Sequence, residues 1–78
     1  MAEKLVVQKG ELESSNLASY SYIPGHDLLV LTFNNGSKYL YPGVPASVVE
    51  GMKTAESVGK YFHVRIKNHF DYVRLDEL

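Results

Sequence analysis

Seventy-eight residues contain no cysteine and no tryptophan, and neither sign of charge prevails: eight Lys and Arg stand against nine Asp and Glu, a formal net charge of −1. The missing cysteine removes disulfides and any thiolate-built zinc site. The balanced charge removes the broad positive field that carries many nucleic-acid binders. No apolar run approaches the ~18–20 residues that cross a bilayer. The opening MAEKLVVQKG has an early glutamate and lacks the apolar h-region of a signal peptide. A cytoplasmic protein with no membrane association is the expectation.

Catalytic material is also sparse. His26, His63 and His69 are scattered, and the last two stand six apart, on different faces of a helix, so they do not chelate one metal. Glu11 and Glu13 lie in a polar segment and Asp76-Glu77 in the tail, which gives no facing pair of carboxylates. Neither the Walker nor the Rossmann glycine pattern occurs. The expectation is a protein that is not an enzyme, with no cofactor and no metal. A single domain of this length buries a modest apolar core, and without disulfides or metal it relies on compact packing, self-association or both. A homo-oligomer is therefore expected.

What is present is a run of strands followed by helices. KLVVQ (4–8) reads as a short edge strand and 9–16 as a polar stretch. NLASYSYI alternates, PGHD is a turn by composition, and LLVLTF is the most strand-like run of the chain. Asn35-Gly36 is the strongest short hairpin signal, that of a type I′ turn, and SKYLYP returns as the next strand. Pro45 suits the first turn of a helix holding Val48, Val49 and Met52 at helical spacing, with Gly51 weakening its middle. Ser57 then reads as the N-cap of a second helix whose apolar positions Phe62, Ile66 and Phe70 recur every four residues, joined by Val58 and Tyr61. The DYVRLDEL tail offers a further short strand. Strands first and helices afterwards predict an α+β fold: an antiparallel three- or four-stranded β-meander with two helices packed on one face.

Counting from the turns predicts the registers. A four-residue PGHD loop sets Ile23 opposite Leu28, Tyr22 opposite Leu29 and Tyr20 opposite Leu31. A two-residue Asn35-Gly36 loop sets Thr32 opposite Tyr39 and Val30 opposite Tyr41. Because side chains alternate, Ala18, Tyr20, Tyr22, Leu29, Leu31, Phe33 and Leu40 are then expected under the helices. Ser19, Ser21, Val30, Thr32, Tyr39 and Tyr41 are expected on the open face, as a surface for a ligand or another subunit.

These residues resemble the KTSC domain family, named after a C-terminal extension of some lysyl-tRNA synthetases. The matching pieces are SSNLASYSY (14–22), LLVLTFNNGSKYLYPGVP (28–45) and ESVGKYFHVRI (56–66), in the family's order and spacing over roughly 12–74 of a single domain, with residues 1–11 as an N-terminal extension. Tyr39-x-Tyr41 with Val44-Pro45 looks like the family's hallmark, and the segment from Ser57 through Gly59 to Tyr61 and Phe62 like its second signature. His63 and Asp71 depart from the Asn and Pro of many relatives. The resemblance implies a small non-catalytic domain, free-standing or appended to larger enzymes, and an association with RNA through the synthetase.

The chemistry expected of the residues is recognition of a nucleotide. Between Ser57 and His69 stand Lys60, Arg65 and Lys67 with no acidic residue. Ser57, Gly59 and Lys60 open a helix, whose free N–H groups favour anions, and Arg65 carries a two-pronged donor for phosphate. Tyr39, Tyr41 and Tyr61 supply faces on which bases stack. With His63 these form the expected ligand-binding set, and Ser19, Ser21, Val30 and Thr32 the expected oligomer or ligand face. The expected function is a homo-oligomeric sponge for a cyclic nucleotide signal of antiviral defence, such as a cyclic dinucleotide. The alternatives are an RNA-binding module and a protein-interaction domain with no ligand.

Overall fold

A computed structural model describes residues 6–75. Five strands form one antiparallel sheet in chain order: β1 (Gln8–Glu11), β2 (Leu17–Ile23), β3 (Leu28–Phe33), β4 (Lys38–Pro42) and β5 (Val73–Arg74). Two helical segments, α1 (Ala46–Thr54) and α2 (Val58–Tyr61), lie between β4 and β5, and α2 runs on into a π-helical turn over Phe62–Ile66. The fold is thus an α+β meander with its helices on one face of the sheet. Among the described residues the sheet has five strands where three or four are expected. The first strand lies in the polar stretch, at Gln8–Glu11, rather than over 4–8, and residues 4 and 5 of that expected strand fall outside the described residues. The tail supplies β5 as expected.

The β2–β3 register is the expected one, with Tyr22 opposite Leu29, Tyr20 opposite Leu31 and Ser19 opposite Thr32. A bulge then separates Leu17 from Ser19, so Leu17 pairs with Phe33. The extra residue turns Leu17 inward, fully buried, and leaves Ala18 half-buried, the reverse of the expected pair.

The β3–β4 register corrects the expectation by one residue. Leu31 stands opposite Tyr39, Val30 opposite Leu40 and Leu29 opposite Tyr41. The cause lies in the turn. Gly36 N–H donates to the Phe33 carbonyl at 2.9 Å and Phe33 N–H to the Ser37 carbonyl at 2.8 Å, so three residues form the loop. Gly36 has φ of +91° while Asn35 stays at negative φ, which excludes the type I′ turn. The Asn35 side chain instead accepts from Ser37 N–H at 3.0 Å, closing an Asx turn. One more loop residue reverses the faces of β4: Tyr39 and Tyr41 point under the helices, and Lys38 and Leu40 point away.

Under the helices, Leu17, Leu29, Leu31, Val44, Val49, Met52 and Ile66 are the most deeply buried residues beside Tyr22. Pro45 is the N-cap of α1 rather than its first helical residue. Ser57 caps α2, its Oγ accepting from Lys60 N–H at 3.3 Å. The helix expected to run through Phe70 widens after Tyr61, where Lys67 N–H donates to the Phe62 carbonyl five residues back at 2.9 Å. Phe62 and Ile66 remain buried and Phe70 packs against the core from a following turn. Among the described residues no helix is long and apolar enough to cross a membrane.

Candidate functional site: an aromatic recess

Bringing Tyr39 and Tyr41 inward builds a cluster of rings. Phe33 meets Tyr39 edge-on at 5.2 Å between centroids and Phe62 at 5.6 Å. Tyr41 meets Phe62 at 6.0 Å, edge-on. Tyr72, carried by the segment that leads into β5, meets Tyr39 at 5.2 Å and Tyr41 at 5.9 Å. Edge-to-face contacts at these distances are the favourable arrangement of ring quadrupoles. The rings line a recess of about 240 Å³ together with Asn35, Ser37 and Lys67. Tyr41 is 3% exposed and Tyr72 57% exposed, so the recess has a fixed floor and an outer wall turned to solvent.

Burial, followed by the neighbouring Tyr39 and Tyr72 hydroxyls, pushes Tyr41 up to about 12. The phenol stays neutral at physiological pH. Among the described residues the lining carries the Lys67 ammonium, the Arg74 guanidinium stands 5.9 Å from the Tyr39 ring, and Asn35 and Ser37 add neutral hydrogen-bonding groups at the hairpin end. A neutral aromatic floor beside cationic side chains suits a flat ring system bearing an anionic group. Among the described residues the lining holds neither carboxylate nor imidazole, and its groups for proton transfer are the phenols and the lysine.

The other expected site residues lie in three different places. Ser57, Gly59, Lys60 and His63 border a shallow, open depression with Ser15, Asn16 and Val64. Tyr61 and Arg65 border another with Ser47, Val48, His69 and Phe70. Tyr61 has a structural partner there, its hydroxyl donating to the Val48 carbonyl at 2.9 Å. Ser19, Ser21, Val30 and Thr32 lie on the face of the sheet opposite the helices, as expected, but without Tyr39 and Tyr41. The expected tyrosine-and-hydroxyl face is thus divided between the two sides of the sheet.

Tyr72 is not among the site residues expected from the sequence, and Phe33 and Phe62, expected as core, also line the recess. One signal was present for the inward tyrosines. The two-residue turn would set Lys38 opposite Phe33, among the core positions, and an unpaired lysine is costly there. The observed register leaves Lys38 exposed.

Comparison with known proteins places these features in a family. The KTSC domain model matches residues 13–70, a span that includes every site residue named above except Tyr72. An uncharacterized protein of Stutzerimonas stutzeri is 38% identical over 66 residues, covering 83% of this chain and 93% of that protein. A lysine–tRNA ligase of Nostoc sp. is 43% identical over 63 residues, which are 81% of this chain and 11% of the ligase. The chain therefore spans a small fraction of the ligase and nearly all of the Stutzerimonas protein. In structure, a crystallised KTSC domain protein of Yersinia pestis superposes with a TM-score of 0.80 at 30% identity, over 88% of this chain and 97% of that one. The chain belongs to the KTSC domain family.

Proposed function

We propose that this protein is a non-catalytic, homo-oligomeric nucleotide-binding protein of the cytoplasm, and that the nucleobase sits in the aromatic recess. The observation that carries the reading is the recess itself: five rings around about 240 Å³, with Lys67 as a cation on its rim. Stacking on aromatic rings is worth ~1–3 kcal/mol per base and tolerates any base, and a lysine ammonium serves as a point charge for phosphate. The most concrete form of the reading is a sponge that holds a cyclic nucleotide signal. Ser57, Gly59, Lys60, His63 and Arg65 lie outside the recess and are the candidates for a second phosphate contact.

The test is thermal unfolding against a panel of cyclic dinucleotides, cyclic mononucleotides and ADP-ribose derivatives. A ligand that binds only the native state raises Tm with its concentration. A panel in which no compound shifts Tm at millimolar concentration sinks the reading.

One observation favours a second reading. Lysine–tRNA ligases carry a similar segment, and the span from Ser57 to Phe70 exposes Lys60, Arg65 and Lys67 with no carboxylate among them. An RNA-binding module would engage these residues through phosphates, and its affinity would fall steeply with salt. The net charge of −1 counts against it.

A further inference from the structure

The sheet face away from the helices has no covering among the described residues. Across it, pairing aligns Glu11 with Ser19, Ser19 with Thr32 and Thr32 with Lys38 in one row. The next row runs Lys9, Ser21, Val30, Leu40 and Val73, and a third holds Ile23, Leu28 and Pro42. The centre of this face is mixed: Ile23, Leu28, Val30 and Leu40 are half-buried by their neighbours, beside the hydroxyls of Ser19, Ser21 and Thr32. Glu11 and Lys38 are exposed at opposite ends of one row, and neither has an ion-pair partner among the described residues.

We infer that this face binds a second copy of the chain, sheet against sheet, about a two-fold axis parallel to the strands between β2 and β3. The row order carries the choice of partner. Rotation about that axis lays β1 of one copy over β4 of the other and β2 over β3. Glu11 then meets Lys38 of the partner copy, and the same pair forms again on the other side. Ser19 meets Thr32, Ser21 meets Val30, and Ile23 meets Leu28. The charged row is its own complement, which is what an isologous interface requires, and the next row sets the Lys9 stem over Leu40. Packed sheets stand ~10 Å apart and rotate by about 30°, an offset that Glu and Lys side chains span. A two-fold axis across the strands would instead set β1 against β1 and leave the charges unmatched.

This proposal rests only on the oligomeric part of the functional reading. The recess opens on the other side of the sheet, so each copy keeps its own.

Sedimentation equilibrium of the full chain tests it, with circular dichroism to verify folding. The wild type is expected to be dimeric at micromolar concentration. Glu11→Lys and Lys38→Glu each place like charges at both contacts and are expected to raise the dimer dissociation constant about tenfold. The double variant Glu11→Lys/Lys38→Glu restores both pairs and is expected to recover the wild-type constant. Val30→Lys, at a half-buried position in the middle of this face, is expected to give folded monomer. A wild-type monomer throughout the concentration range overturns the proposal. So does a dimer indifferent to Val30→Lys, or single reversals that the double variant fails to rescue. Nucleotide-induced shifts in Tm are measured on the Val30→Lys variant as well, so that loss of the dimer and loss of ligand binding are read separately.

Discussion

The Tyr61 ring lies directly against Gly51, where a Cβ would collide with the phenol oxygen and ring carbons, while the Tyr61 hydroxyl donates to the Val48 carbonyl. Gly51 therefore sits mid-helix because α2 approaches α1 through this ring. Gly51→Ala gains up to ~1 kcal/mol of helix propensity and loses more. Displacing the ring forfeits the hydrogen bond and overpacks the contact, a cost of about 1–3 kcal/mol. Urea denaturation is expected to show net destabilisation. Gly59→Ala is the control, because its Cβ would meet the Ser14 hydroxyl at 3.3 Å and the Asn16 side chain at 4.0 Å, with no ring or backbone in the way. The control is expected to be neutral or slightly stabilising.

Tyr22 joins two loops that are far apart in sequence. Its hydroxyl lies 2.8 Å from the Val44 carbonyl and 3.2 Å from Asp27 Oδ1, and Val44 N–H donates to the Asp27 carbonyl at 2.9 Å. The residue is 1% exposed, and its proton lies between two acceptors, of which the Val44 carbonyl is the nearer. Tyr22→Phe keeps the ring and leaves a buried carbonyl without its side-chain donor, a cost of about 1–3 kcal/mol. Chemical denaturation should show a lower midpoint with an unchanged m-value; an unchanged midpoint would remove the role assigned to this hydroxyl.

The same buried phenols set an alkaline limit. Tyr41 is raised from 10.0 to about 12, chiefly by burial. Tyr22 is raised as well, by burial first and then by the hydrogen bond to and charge of Asp27. An unfolded chain gives up these protons at lower pH than the folded one, so the unfolded state binds fewer protons above pH ~10 and stability falls as pH rises. The contribution of Tyr41 is intact below pH 10 and drains away between 10 and about 12. Tyr41→Phe cannot titrate, and its Tm is expected to decline less than that of the wild type between pH 9.5 and 11.5. Parallel declines would show that Tyr41 is not the group concerned.

How far the fold could be read from the residues depended on each turn. Pro24-Gly25-His26-Asp27 supports a four-residue loop, and Ile23 does pair with Leu28. Asn35-Gly36 supports either a two-residue turn or a type I turn closed by glycine at positive φ, and dipeptide preference does not decide between them. The alternation of Lys38, Tyr39, Leu40 and Tyr41 was the better evidence, since burying two tyrosines costs less than burying a lysine. The bulge at Leu17 left a weaker trace, a leucine beside an alanine competing for one core position. Tyr72 was beyond local reasoning, because a two-residue strand far along the chain carries it to the recess. If the glycine-closed turn sets the register, Gly36→Ala, forced to hold φ of +91°, is expected to cost about 1 kcal/mol. Asn35→Ala is expected to cost less, since Asn35 keeps negative φ and loses one exposed hydrogen bond.

Two exposed residues of the recess allow its role to be separated from its packing. Tyr72 is 57% exposed and Lys67 lies on the rim, so neither Tyr72→Ala nor Lys67→Gln removes a buried side chain. With a nucleotide from the thermal-shift panel as probe, Tyr72→Ala is expected to lose one stacking wall. At ~1–3 kcal/mol per base that is a weakening of roughly 5- to 150-fold, with little change in salt dependence. Lys67→Gln is expected to weaken phosphate-bearing ligands while sparing the corresponding nucleoside, and to flatten the salt dependence of affinity. Isothermal titration at two ionic strengths separates the two effects. If both variants bind as the wild type does, the ligand sits elsewhere, and the depression bordered by Ser57, Gly59, Lys60 and His63 becomes the site to test.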